Sequence, residues 1–186
     1  LKTNKVSLVL ADIPAMAAKI AKSAGIPCWM MSNFGWDFIY RDWGAEFQPI
    51  TNWIQECYQE CDRLFRLPFA EPMSSFRNII DVGLTGGTPN YNETHLREHF
   101  NLKTEKEKTI LLTFGGLGLE AIPYQNLAQF PDWQFITFAQ NAPELPNLVK
   151  IKSHQYRPVD FMPLCAKVVS KPGFTTFAES LKLDIP

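Results

Sequence analysis

The 186-residue sequence is poor in histidine, with three, and in cysteine, with four, and it carries no block of like charge and no long apolar run. Each scarcity removes a class of function. Lys and Arg total 18 against 19 Asp and Glu, a formal net charge of −1, so the electrostatic footprint of a nucleic-acid binder is missing. No apolar run approaches the roughly 20 residues that a membrane span needs. Four cysteines at this length do not make a secreted disulfide framework, and Leu1 to Lys5 lacks the apolar stretch of a signal peptide; a cytoplasmic protein is expected. His95 and His99 stand four apart, a spacing able to bind a metal, but neither His154 nor the cysteines supply a third ligand nearby. A solvated helix face is expected there, and no metal site. No Gly-x-Ser-x-Gly nucleophile elbow and no kinase motif set appears.

Bulky apolar groups are abundant: 46% of residues are hydrophobic, with 14 phenylalanines and 5 tryptophans, and 14 prolines break the chain often. The size suits one domain or two small ones. Val6 to Leu10 reads as a buried strand, Asp12 as the N-cap of the helix after it, and Gly25 with Pro27 as the helix stop. Ile26 to Met31 is the next strand, so the opening is a parallel crossover unit. Asn33 to Asp37 follows at that strand's carboxyl end, where open parallel sheets gather ligands, and a site is expected there. Ile50, Trp53, Ile54, Cys57, Tyr58 and Cys61 mark the apolar face of one helix, which makes both cysteines core residues. Leu64 to Phe69 reads as a strand. Pro68 to Pro89, rich in glycine and polar residues, reads as an interdomain linker able to hinge at Gly83 to Gly87. A polar helix is expected over Asn92 to Phe100. Strand and helix then alternate again: strands Thr109 to Phe114, Trp133 to Phe138, Leu148 to Lys152 and Val168 to Ser170; helices Glu120 to Phe130, Val159 to Cys165 and Gly173 to Leu183; a further strand is expected at Ile185-Pro186.

Two segments carry ligand chemistry. Gly115-Gly116-Leu117-Gly118 turns the chain tightly after a strand and lets backbone approach a ligand, but it fits neither the dinucleotide fingerprint nor a P-loop; a plain tight turn explains it as well. Ser170 to Glu179 runs from a strand through Gly173 into a helix opened by hydroxyl residues, with an acid one and a half turns in. Free amides there, aided by the helix dipole, suit a diphosphate, and Glu179 suits ribose hydroxyls. An ordinary capped helix with a solvated acid is the competing reading.

Val159 to Glu179 resembles the donor-binding signature of nucleotide-sugar glycosyltransferases of the GT-B fold. Asp12-Ile13-Pro14, Ala24-Gly25-Ile26-Pro27 and Ser32 to Tyr40 look like the glycosyltransferase-like proteins related to the N-terminal region of plant arabinokinases. The first match is shared across the wider fold, including the peptidoglycan N-acetylglucosaminyl transferase; the second is specific to a subgroup. The resemblance implies an α/β protein of two Rossmann-like parallel-sheet domains, acceptor-side over 1–80 and donor-side over 81–186, each incomplete in this chain. It implies transfer of a sugar from a nucleotide sugar, a UDP sugar first, to an unidentified acceptor across a cleft, with no obligatory metal or other cofactor. Gly115, Gly116, Gly173, Phe174, Thr175 and Thr176 would face the donor phosphates, Glu179 the ribose, and His154, Gln155 and Tyr156 the nucleobase through backbone groups. The peptidoglycan enzyme has a hydroxyl residue where Leu117 stands, so this turn offers no side-chain phosphate contact. Asp12 and Asp37 are the candidate catalytic acids, with capping as the competing role for Asp12. Phe34, Trp36 and Tyr40, around Asp37, suit either sugar stacking or the core. A nucleotide-sugar binding module without turnover and a nucleotide-sugar epimerase are the alternatives.

Overall fold

The computed structural model describes residues 4–114 and 122–186. The chain forms two compact units that divide between Leu84 and Thr85. The first contains β1 (Val9–Ala11), α1 (Met16–Ala24), β2 (Cys28–Ser32), α2 (Trp36–Arg41), α3 (Gln48–Gln59), β3 (Arg63–Arg66) and β4 (Ile79–Asp81). Its sheet has the order β1-β2-β3-β4 and is parallel throughout, with Met30 beside Leu64 and Leu64 beside Ile79. Met30 and Leu64 are fully buried in one cluster with Ala18 and Ala21 of α1 and with Ile54, Cys57 and Tyr58 of α3. Burying this apolar face is what fixes the helices to the sheet.

Several boundaries differ from the expectation. The first strand covers Val9–Ala11, not Val6 to Leu10, and it lies at the sheet edge, where incomplete cover leaves Leu10 64% exposed. The second begins at Cys28 and the third ends at Arg66, before Pro68, which cannot donate to a ladder. Ile79–Asp81 is not linker: it pairs with β3, and Arg66 clamps Asp81 through two bonds of 2.7 and 3.0 Å. Three residues are too few to show a periodicity, which is why this strand was not expected. Cys61 lies beyond the end of α3 yet is buried, its thiol 3.4 Å from the Cys28 carbonyl oxygen.

The second unit contains α4 (Glu93–His99), β5 (Thr109–Thr113), a 3-10 turn (Tyr124–Gln129), β6 (Gln134–Thr137), β7 (Leu148–Lys150), α5 (Pro158–Phe161), β8 (Lys167–Ser170) and α6 (Phe174–Lys182). The helix expected over Glu120 to Phe130 is this 3-10 turn, its first two residues falling outside the described ones. The sheet order is β7-β6-β5-β8, again parallel. Strand β5 therefore has β6 on one side and β8 on the other, and the topology reverses there. In an open parallel sheet such a reversal opens a crevice at the carboxyl ends of the strands. Ile185-Pro186 forms no strand, although the Pro186 carbonyl accepts the Val168 N–H at 2.8 Å beside β8.

Candidate functional site

Thr113, the last residue of β5, lies opposite Ser170, the last of β8. The segments that follow these two ends in the sequence are the glycine-rich stretch from Gly115 and the start of α6. Gly115 and Gly116 lie outside the described residues. Helix α6 begins after Gly173, which is extended and provides no side-chain cap. The amides of Phe174, Thr175 and Thr176 are first-turn donors that no residue of the helix can satisfy, and the helix dipole adds positive potential at the same place. Thr175 is exposed and Thr176 half-buried.

Glu179 points inward rather than to solvent, with 8% of its surface exposed. One carboxylate oxygen accepts the Gly87 N–H at 2.8 Å; among the described residues no donor meets the other. Close by, Arg157 donates to the Thr88 carbonyl at 2.7 Å and to Asp160 at 3.0 Å. Asp160 also accepts the Asn90 and Arg157 amides, each at 2.8 Å. Burial alone raises the Asp160 carboxyl, but those two amides and the Arg157 guanidinium outweigh it and hold the group below its ordinary range. The contacts of Gly87, Thr88 and Asn90 thus tie the strip from 86 to 90 to Glu179 on α6 and to the start of α5.

His154 and Gln155 are exposed in the turn after β7, with the Gln155 amide 3.3 Å from Ser153 Oγ. The Tyr156 ring, in contrast, is buried and packs against Tyr91, Phe100 and Phe161. Its ring is core; only backbone remains for ligand contact. His95 and His99 are exposed and stack on each other along α4, 5.7 Å between ring centres. Among the described residues no three His, Cys, Asp or Glu side chains group as metal ligands.

In the first unit the two candidate acids separate. Asp12 is exposed and does not cap α1, whose N-cap is Ala15 without a side-chain bond. Next to it, Ile13 has φ of 66°, a left-handed conformation that costs a β-branched residue free energy. The Tyr58 hydroxyl secures that turn by donating to the Ile13 carbonyl at 2.9 Å, while burial pushes its own pKa up. Asp37 is buried in the first turn of α2 and accepts the Ser75 hydroxyl at 2.5 Å. Gly35 leaves room beside it: an added Cβ would stand 2.3 Å from Asp37 Oδ1 and displace that carboxylate. Phe34 and Tyr40 pack on the core, whereas Trp36 is 38% exposed.

A cavity of about 830 Å³, lined by Lys19, Lys22, Glu60 and Arg77 among others, opens beside Pro27, Asp62 and Asn78. Those residues precede β2, β3 and β4, so the cavity lies at the amino ends of the strands. Ligands of open parallel sheets bind at the opposite ends, and the candidate site is placed by topology rather than by cavity size.

No family model matches the chain. The chain is similar to the L-arabinokinase of Arabidopsis thaliana, 29% identical over 197 residues that cover all of this chain and 18% of that protein. A solved glycotransferase of kitacinnamycin superposes on the whole chain with a TM-score of 0.63 at 17% identity. The fold is GT-B. Arabidopsis thaliana UGT89C1 complexed with UDP-L-rhamnose has the same fold, with a TM-score of 0.61 at 12% identity. The chain spans 57% and 52% of these two structures, and its parallel sheets are the Rossmann-like layers of the GT-B architecture. No helix among the described residues is long and apolar enough to cross a membrane.

The GT-B architecture was therefore readable from sequence, as was the strand-to-helix passage from Ser170 to Glu179. Gly87, Arg157 and Asp160 were not. The only local sign of the last two is an acid three residues after the position that opens α5, a capping-box spacing with arginine in place of the usual hydroxyl residue.

Proposed function

We propose that the second unit binds the nucleotide of a UDP sugar and that the full-length protein transfers the sugar to an acceptor. The observation that carries this is the uncapped start of α6 at the topological reversal, with the buried Glu179 carboxylate on the same helix. The amides of Phe174, Thr175 and Thr176 hold the diphosphate, joined by Gly115 and Gly116. Glu179 takes the ribose hydroxyls. The backbone at His154 to Tyr156, after β7, takes the nucleobase; β7 lies three strand spacings from β8, about 14 Å, which a nucleoside diphosphate can span. Asp12 serves as the base that accepts the acceptor hydroxyl proton, and Asp37 holds the start of α2. The solved neighbour with UDP-L-rhamnose supports the donor class. Four unpaired, buried thiols suit a reducing, cytoplasmic setting.

The test is a calorimetric titration of the full-length protein with UDP, ADP and GDP, with and without magnesium. UDP binds without the metal, and Glu179→Ala weakens it by about 1 to 3 kcal/mol, the worth of hydrogen bonds to a charged group. Equal affinity in the variant removes Glu179 from the site, and no binding of any nucleotide overturns the reading.

A further inference from the structure

The strip Gly86 to Asn90 lies against the donor-side elements, and its contacts are of an unusual kind. A Cβ on Gly86 would stand 2.8 Å from Glu179 Cγ; one on Gly87 would stand 2.8 Å from Glu179 Oε1 and 3.2 Å from Val159 Cγ1. A side chain at either position would push the Glu179 side chain aside. The Gly87 amide then meets Oε1 at 2.8 Å, a bond strengthened by the charge it accepts. Beyond the glycines the strip is anchored twice, by Arg157 on the Thr88 carbonyl and by Asp160 on the Asn90 amide.

A glutamate has three rotatable side-chain bonds, and a ribose contact needs them fixed before the ligand arrives. We propose that Gly86-Gly87 is a positioning strap: it occupies Glu179 Oε1 and so presents Oε2 to the ribose hydroxyls of the donor. The strap thereby sets discrimination for ribose over deoxyribose. The inference rests on the nucleotide reading of the same site. It differs from a general packing role because its effect is confined to ligands that carry ribose hydroxyls.

The experiment measures the affinity of the full-length protein for UDP and for 2′,3′-dideoxyuridine diphosphate, in the parent, in Gly87→Ala and in Arg157→Gln. The parent prefers UDP, and Gly87→Ala weakens UDP binding by roughly tenfold while leaving the dideoxy nucleotide unchanged, so the preference disappears. Arg157→Gln inserts no atoms near Glu179 and guards against misfolding of the first variant; it reduces the preference in the same direction, with folding of both checked by thermal melting. Equal weakening of both nucleotides, or an unaltered preference in both variants, overturns the strap. If the parent itself binds neither nucleotide, the nucleotide reading fails and the strap falls with it.

Discussion

Replacing Asp12 by asparagine lowers sugar transfer by the full-length protein about 10²- to 10⁴-fold, the range that a lost general base accounts for, and leaves UDP affinity unchanged. Two observations single out Asp12 over Asp37. Asp12 is exposed at the carboxyl end of β1 and meets no side-chain donor among the described residues. Its neighbour Ile13 keeps a left-handed backbone that the Tyr58 hydroxyl holds in place. Strain that a surrounding bond maintains is found where a side chain must be aimed. Asp37, by contrast, is buried and accepts the Ser75 hydroxyl. Asp37→Asn is accordingly the control: transfer is retained and the melting temperature falls. A fall in kcat for Asp37→Asn with Asp12→Asn fully active reverses the two roles. The measurement is a steady-state assay of UDP release with each variant.

The second large effect is on stability. Asp160→Ala destabilises the second unit by about 2 to 4 kcal/mol, because two amides, of Asn90 and Arg157, and the Arg157 guanidinium all lose their charged, buried acceptor. The Asp160 carboxyl is held below its ordinary value in the folded state, so the unfolded chain binds the proton more readily. Its contribution is complete above the ordinary carboxylate range and is lost as pH falls through the lowered folded value. Urea unfolding at pH 7 and at pH 3 measures both points: the parent loses stability on acidification, and the Asp160→Ala variant loses less. Equal acid sensitivity in the two proteins contradicts the assignment.

The parallel sheets were legible because buried strands such as Leu111 and Ile136 form short apolar runs between breaks that glycine and proline mark. The start of α6 was legible for a related reason: strand, Gly173, hydroxyl residues and Glu179 are contiguous, so the sequence itself carries the spacing. Asp12 was harder. An acid before a helix reads as a cap, and only the positive φ of Ile13 shows that the helix begins later, after Ala15. The strap was not legible at all, since Gly87 and Glu179 are 92 residues apart and a glycine-rich strip looks the same whether it swings free or lies on a carboxylate. Tyr156 shows the limit in the other direction: its place beside an expected nucleobase loop says nothing of its ring, which the Tyr91, Phe100 and Phe161 cluster claims.

A structure of the full-length protein with UDP tests the central claim most directly. The diphosphate is expected against the Phe174, Thr175 and Thr176 amides, and both ribose hydroxyls within hydrogen-bond reach of Glu179. A nucleotide bound elsewhere, or bound at α6 with its ribose turned away from Glu179, contradicts the account.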